Sequence, residues 1–169
     1  VFYNGTHAIA YQAAGKLPGV LKETLAGLGL GIIGTFLPVV MFSGEEQMGI
    51  LMVDYAKYMP IAMIGIAFLK VFLTNFCIQF GLKGGHFFPL IFSGVCLGYG
   101  TALLICGTGG SHVVFAAAIV TAALLGGIMK KPLAVTMLLF LCFPVKMFLW
   151  IFLAAAISSK LVPGTSSET

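Results

Sequence analysis

The chain has 169 residues, of which 60% are hydrophobic and only 8% are charged, and its formal net charge is +4 at pH 7. Soluble domains carry about 25% charged residues, so this chain has too few charges to cover a surface in water. Its mean hydropathy of +1.09 indicates that the lipid bilayer is its solvent. The positive charge comes from lysines spread along the chain, and no basic cluster interleaved with aromatic residues indicates a nucleic-acid partner.

The residues that usually support enzyme chemistry are scarce. The sequence contains no HExxH and no GxSxG, and Asp54 is its single aspartate, so an intramembrane hydrolase is the least favoured function and we expect no enzyme. The cysteines form no CxxC pair and lie in apolar runs, which predicts buried thiols with neither disulfides nor a metal site, and we expect no cofactor. The chain begins with Val1 and not methionine, so we interpret it as a fragment.

Apolar runs recur along the chain, separated by short segments that contain glycine, proline or charged residues. This pattern predicts an all-α integral membrane protein built as one domain. The predicted helices are 25–42, with Pro38 as a kink or stop near its end, then 48–58, 61–80, 87–106, 113–129, 133–143 and 147–161.

The predicted helices differ in length in a way that indicates function. The run 133–143 lies between two prolines and is too short to cross a bilayer of about 30 Å at about 1.5 Å per residue. Broken and half-spanning helices are typical of transporters whose binding site lies near the middle of the membrane. The loose end of such a helix must be buried against protein or face a water-filled cavity.

Residues 84–89, with the sequence GGHFFP, are the segment most indicative of chemistry. Two glycines precede a predicted helix start that carries Pro89 in its first turn, a position that tolerates proline because first-turn N–H groups have no partner within the helix. Successive N–H groups and the positive end of the helix dipole form an anion seat without a formal charge. The same residues also fit a simple turn between packed helices.

Residues 84–89 resemble the GxFxP motif of the CLC family of voltage-gated chloride channels and chloride/proton antiporters. Residues 115–140 are similar to that family's small-residue stretch, which is followed by a basic residue, a proline and a short helix. Residues 37–50 are similar to its polar insert after a glycine-rich helix. The order and spacing of the three segments agree with the family, and the resemblance covers most of residues 18–162.

The resemblance implies that the chain is the C-terminal half of a CLC membrane domain, one of two inverted repeats around a chloride path. Gly85, His86 and Phe87 are then the anion-binding residues, with backbone N–H groups at the last two. Gly84, Phe88, Lys70 and Lys131 are candidates for the pore or vestibule. The N-terminal half of the same domain is missing, so the resemblance does not decide between a channel and a proton-coupled antiporter.

The resemblance also implies a homodimer, with 133–161 at the interface, and a location in the plasma (inner) membrane of a prokaryote. We expect 1–17 to be a connecting segment, 18–162 the transmembrane half domain and 163–169 a disordered tail. Two alternatives remain: a transporter or channel for another anion such as fluoride or nitrate, and a non-conducting scaffold or dimerisation fragment. The scaffold would use the small residues Ala116, Ala117, Ala118, Ala122, Ala123, Gly126 and Gly127.

Three further positions carry specific expectations. Lys70 interrupts an apolar run, where an ionisable group indicates a functional role unless its side chain snorkels to a membrane interface. Asn75 and Gln79 lie four residues apart on one helical face, so we expect them to form polar contacts with another helix, although a water path would use the same pattern.

Overall fold

The computed structural model describes residues 2–15, 18–37, 48–49, 51, 59–82, 85, 87–107 and 111–162. All regular structure in these ranges is helical, which confirms the all-α prediction. The main helices are α1 (Phe2–Ala14), α2 (Gly19–Phe36), α3 (Pro60–Gln79), α4 (Phe87–Cys106), α5 (Ser111–Met129), α6 (Pro132–Phe140) and α7 (Phe148–Leu161), with a 3-10 turn at Val145–Met147. Among them, α2, α3, α4 and α5 are long and apolar enough to cross a membrane.

Prolines set several helix ends. Pro60 and Pro132 begin α3 and α6, where their fixed φ suits the first helical turn. α2 ends at Phe36, and the residue before a proline is disfavoured in helical conformation, which accounts for a stop close to Pro38. The predicted bounds 25–42 were therefore wrong at both ends, since α2 also begins earlier, at Gly19.

The short helix predicted between the two prolines is present as α6, which has nine residues. Its length of about 14 Å is less than half of a bilayer's hydrophobic thickness of roughly 30 Å. Residues 141–143 form turns and a bend before the 3-10 turn, and α7 follows directly. A half-spanning helix is thus part of the observed fold.

α4 lies between α3 and α5 and forms the centre of the described structure. Close approach on both sides depends on glycines: a Cβ atom at Gly94 or Gly98 would overlap Thr121 or Ala117 of α5, and one at Gly100 would overlap Ile64 of α3. Small residues allow transmembrane helices to approach closely, because without a hydrophobic driving force in lipid the helices associate through packing.

The small-residue face of α5 is buried within the chain, and this corrects one of the alternatives above. Ala117, Ala118 and Ala122 are completely buried, and Gly126 lies against the backbone of Ala155 in α7. This face therefore packs on α4 and α7 of the same chain and does not offer the dimerisation surface that the scaffold hypothesis assigned to it.

Polar side chains join α1 to α3. Asn75 Nδ2 donates a hydrogen bond of 2.8 Å to Thr6 Oγ1, and Gln79 Nε2 lies 2.7 Å from His7 Nε2. These bonds confirm the expected polar contacts of Asn75 and Gln79 with another helix. They also show that 1–17, expected to be a connecting segment, contains a helix packed on α3; the domain boundary at residue 17 stays a prediction.

Candidate anion-binding site

The N-terminal end of α4 is the position that the sequence assigned to the anion. α4 begins at Phe87, and Pro89 lies in its first turn, which contains no acidic residue. N–H groups in the first turn point beyond the end of a helix, and the helix dipole adds about half a positive charge there. Pro89, Leu90 and Ile91 are buried, so the start of α4 is held in place by packing.

Of the three predicted anion-binding residues, the structure describes Gly85 and Phe87; His86 and the pore candidate Gly84 lie outside the described residues. Gly85 is exposed, and a Cβ atom there would meet no described atom within 4 Å. Packing within the described chain therefore does not require glycine at position 85.

The sharp turn before the site lies at Gly81, where φ is +93°. Gly81 N–H donates to the Ile78 carbonyl at 3.1 Å, and Leu82 N–H donates to the Cys77 carbonyl at 3.0 Å. These two bonds form a Schellman motif, which satisfies the last carbonyls of α3 and needs a residue that tolerates left-handed φ. The turn directs the chain from the end of α3 towards α4.

Aromatic rings surround this end of the bundle. The rings of Phe87 and Phe88 are 38% and 39% exposed, although the three residues that follow them are buried. On α3, Phe76 stacks on Phe80 with a centroid distance of 4.1 Å. The start of α4 thus presents two partly exposed rings at the end of the bundle where α3 ends in a packed aromatic pair.

Helix packing places Lys131 at the same end of the bundle as Phe87. Gly94 faces Thr121 and Gly98 faces Ala117, so α4 and α5 run antiparallel. Continuing this register towards the start of α4 brings Phe87 level with the C-terminal end of α5. Lys131 is exposed there, directly before α6, and its assignment as a vestibule candidate stays a prediction.

Lys70 is buried inside the helix bundle, and its assignment as a pore or vestibule candidate stays a prediction. Its side chain is only 2% exposed, and Nζ lies 5.5 Å from the centroid of the Phe92 ring in α4. The side chain is therefore buried between α3 and α4 and does not snorkel along the surface of α3. The ring of Phe92 is itself buried.

Sequence reasoning missed the partners of Lys70 and the role of α1. The contact of Lys70 with Phe92 depends on the register of two helices that are separated in the sequence, and no local pattern encodes it. The C-terminal turn of α3 did carry a local signal, because a glycine after the last apolar residue of a helix indicates a left-handed cap.

The class of protein follows from these features: an integral membrane protein with broken helices, whose buried central helix begins at a candidate anion site. The profile of the voltage gated chloride channel family matches residues 1–162. The chain belongs to this family, whose members transport chloride across membranes. The match includes α1, which the resemblance found in the sequence did not cover. No curated protein and no solved structure matches the chain.

Proposed function

We propose that this chain forms part of a chloride pathway and that the start of α4 is its anion seat. The observation that supports the proposal most directly is the helix start at Phe87, anchored by buried residues and free of acidic side chains in its first turn. Backbone N–H groups at His86 and Phe87 hold the anion, and Gly85 keeps its approach open.

A seat built from backbone dipoles suits an anion that must also leave. Partial charges bind the ion and release it, whereas direct contact with a formal cation in a dry site holds it more tightly. The exposed rings of Phe87 and Phe88 narrow the approach and exclude water from it. Gly84 and Lys131 contribute to the vestibule, where a positive charge raises the local anion concentration.

Further helices, outside this chain, complete the pathway. In this proposal they form the N-terminal half of the same membrane domain, related to this chain as the other inverted repeat. The complete protein is a homodimer in the plasma membrane of a prokaryote. Exposed apolar side chains along α6 and α7, such as Leu133, Leu149 and Ile157, contact lipid or the second subunit.

The same seat would accept other monovalent anions, because backbone N–H groups recognise charge and size and carry no element-specific chemistry. Fluoride and nitrate are therefore tested as competitors of chloride. A non-conducting scaffold is the remaining alternative, and it has lost the support of the α5 small-residue face, which is buried within the chain.

The test is chloride efflux from liposomes that contain the complete protein carrying this chain. The Phe87→Pro variant removes one proposed donor N–H, and proline remains compatible with the first turn of a helix. The matched control is Phe87→Ala, which removes the same ring and keeps the N–H. We expect Phe87→Pro to reduce flux at least tenfold relative to Phe87→Ala, in line with the loss of a hydrogen bond to a charged group.

The comparison between the two variants separates the backbone donor from the aromatic ring. Equal flux in the proline and alanine variants, with both proteins folded, would contradict the assignment of the seat. Wild-type liposomes that release neither chloride nor fluoride nor nitrate would contradict anion transport itself and favour the scaffold.

A further inference from the structure

Lys70 is the buried lysine of the residues that the structure describes, and its charge bears on anion affinity at the proposed seat. It lies within α3, which is one of the helices long and apolar enough to span a membrane. Its side chain is 2% exposed and its ammonium faces the buried Phe92 ring at 5.5 Å from the centroid. The negative face of an aromatic ring stabilises the charged form of a lysine.

The packing of α3 on α4 gives the depth of Lys70 relative to the seat. Gly100 faces Ile64, and Phe92 faces Lys70, so the two helices run antiparallel. Phe92 follows Phe87 by five residues, or about 7.5 Å along the helix axis. When the lateral distance between α3 and α4 is added, the ammonium lies on the order of 10 Å from an anion at the start of α4.

At that distance the charge of Lys70 acts on the anion without touching it. At an effective dielectric of about 20, two opposite unit charges about 10 Å apart attract each other. The energy of this attraction corresponds to a change on the order of tenfold in the binding constant of the anion. Screening by salt is weak, because the ammonium is buried. The protein between them keeps the two charges from forming a direct ion pair, so the anion can still leave.

We propose that Lys70 sets the affinity of the pathway for anions, as a formal positive charge buried behind the backbone seat. This inference rests on the proposed function, and it assigns to Lys70 a role other than lining the pore.

A purely structural role is the competing explanation, because a buried lysine also holds α3 against Phe92. The two roles differ in what they change. A structural role predicts that replacements lower the amount of folded protein and the maximal flux together. An electrostatic role predicts that a neutral side chain of similar length weakens anion binding, and that arginine, which keeps the charge, restores it.

The experiment measures the chloride concentration that gives half-maximal efflux from liposomes containing the complete protein. We expect Lys70→Met to raise this concentration about tenfold with little change in maximal flux, and Lys70→Arg to return it to within about threefold of the wild-type value. Lys70→Gln is a second neutral variant, which keeps hydrogen-bonding capacity if the methionine variant does not fold. The matched control is Lys146→Met, which removes an exposed lysine outside the four candidate membrane spans.

The outcomes distinguish this inference from the proposed function. An unchanged half-saturating concentration in a folded neutral variant would overturn the role of Lys70, while wild-type efflux would leave the seat at α4 intact. Equal loss of affinity in the neutral variants and in Lys70→Arg would show that the positive charge does not set the affinity, and would also overturn this role. Absence of wild-type efflux with every anion tested would instead contradict the proposed function.

Discussion

At the scale of single residues, Lys130 combines a strained left-handed backbone conformation with side-chain hydrogen bonds to α7. Its φ is +57°, the only positive value at a described non-glycine residue. Its Nζ donates to the Ser159 carbonyl at 3.1 Å and to the Val162 carbonyl. A positive charge is favourable at the C-terminal end of a helix, so Lys130 stabilises the end of α7 from the turn that joins α5 to α6.

The two effects at Lys130 act in opposite directions and can be separated. Lys130→Ala removes the ammonium but keeps the left-handed strain, so we expect a loss of about 1–2 kcal/mol in the free energy of unfolding. Lys130→Gly also removes the ammonium but relieves the strain, so this variant should be more stable than Lys130→Ala by about 1 kcal/mol.

Thermal or denaturant unfolding of the purified protein in detergent micelles measures these differences. Lys146→Ala is the control, because Lys146 is exposed and its loss should change stability by less than about 0.5 kcal/mol. Equal stability of the alanine and glycine variants would show that the φ of Lys130 carries no cost.

At the scale of helices, the bundle depends on glycines that allow backbone approach. On α4, Gly94 and Gly98 face α5 and Gly100 faces α3, so one helix brings two neighbours close on different sides. Other helical glycines, such as Gly65 on α3, have no described atom within 4 Å of a Cβ position. Glycine content alone therefore does not identify the packing positions; the pairing of helices does.

Alanine substitutions at Gly98 and at Gly65 should have different effects on the stability of the protein. A Cβ atom at Gly98 overlaps the backbone of Ala117, which cannot move without shifting α5, so we expect Gly98→Ala to destabilise the protein by about 1–3 kcal/mol. Gly65→Ala meets open space and gains helix propensity, so its stability should stay equal or rise by up to about 1 kcal/mol. Unfolding in micelles measures both, and an unaffected Gly98→Ala protein would contradict the α4–α5 register.

How far the sequence predicts these elements depends on where their signals lie. The bounds of α4 were predicted correctly because its signals are local: glycines precede it, Pro89 lies in its first turn and Gly107 follows it. α1 was not predicted, because the contacts that hold it on α3 join Thr6 and His7 to Asn75 and Gln79, which lie far along the chain.

In the candidate site too, features with local sequence signals were predictable and features set by helix packing were not. The helix start at Phe87 was predictable, since its signals lie within a few residues of each other. The burial of Lys70 against Phe92 was not, because it arises from the antiparallel register of α3 and α4. The role of the α5 small residues was predicted wrongly for a related reason: composition shows that a face allows close packing, and tertiary structure decides which helix packs on it.

At the scale of the whole molecule, burial is distributed very unevenly among the helices that can span a membrane. Within an 18-residue apolar window of each helix, the share of buried residues is 72% for α4 but only 11% for α2. α2 is attached mainly through Ala26, which packs in a small apolar cluster with Phe76, Phe80 and Leu82 at the end of α3. Within the described structure, α2 therefore depends on surroundings other than this chain for most of its packing.

Hydrogen exchange measured by mass spectrometry tests this uneven distribution. Opening of a helix costs less free energy where fewer apolar contacts break, so amides of α2 should exchange at least tenfold faster than those of α4 in detergent micelles. The exchange rate of peptides from α2, measured in the complete protein, shows whether other helices cover α2. Protection of α2 equal to that of α4 would mean that further protein contacts bury the exposed face, whereas fast exchange that slows in lipid bilayers would identify lipid as its main contact.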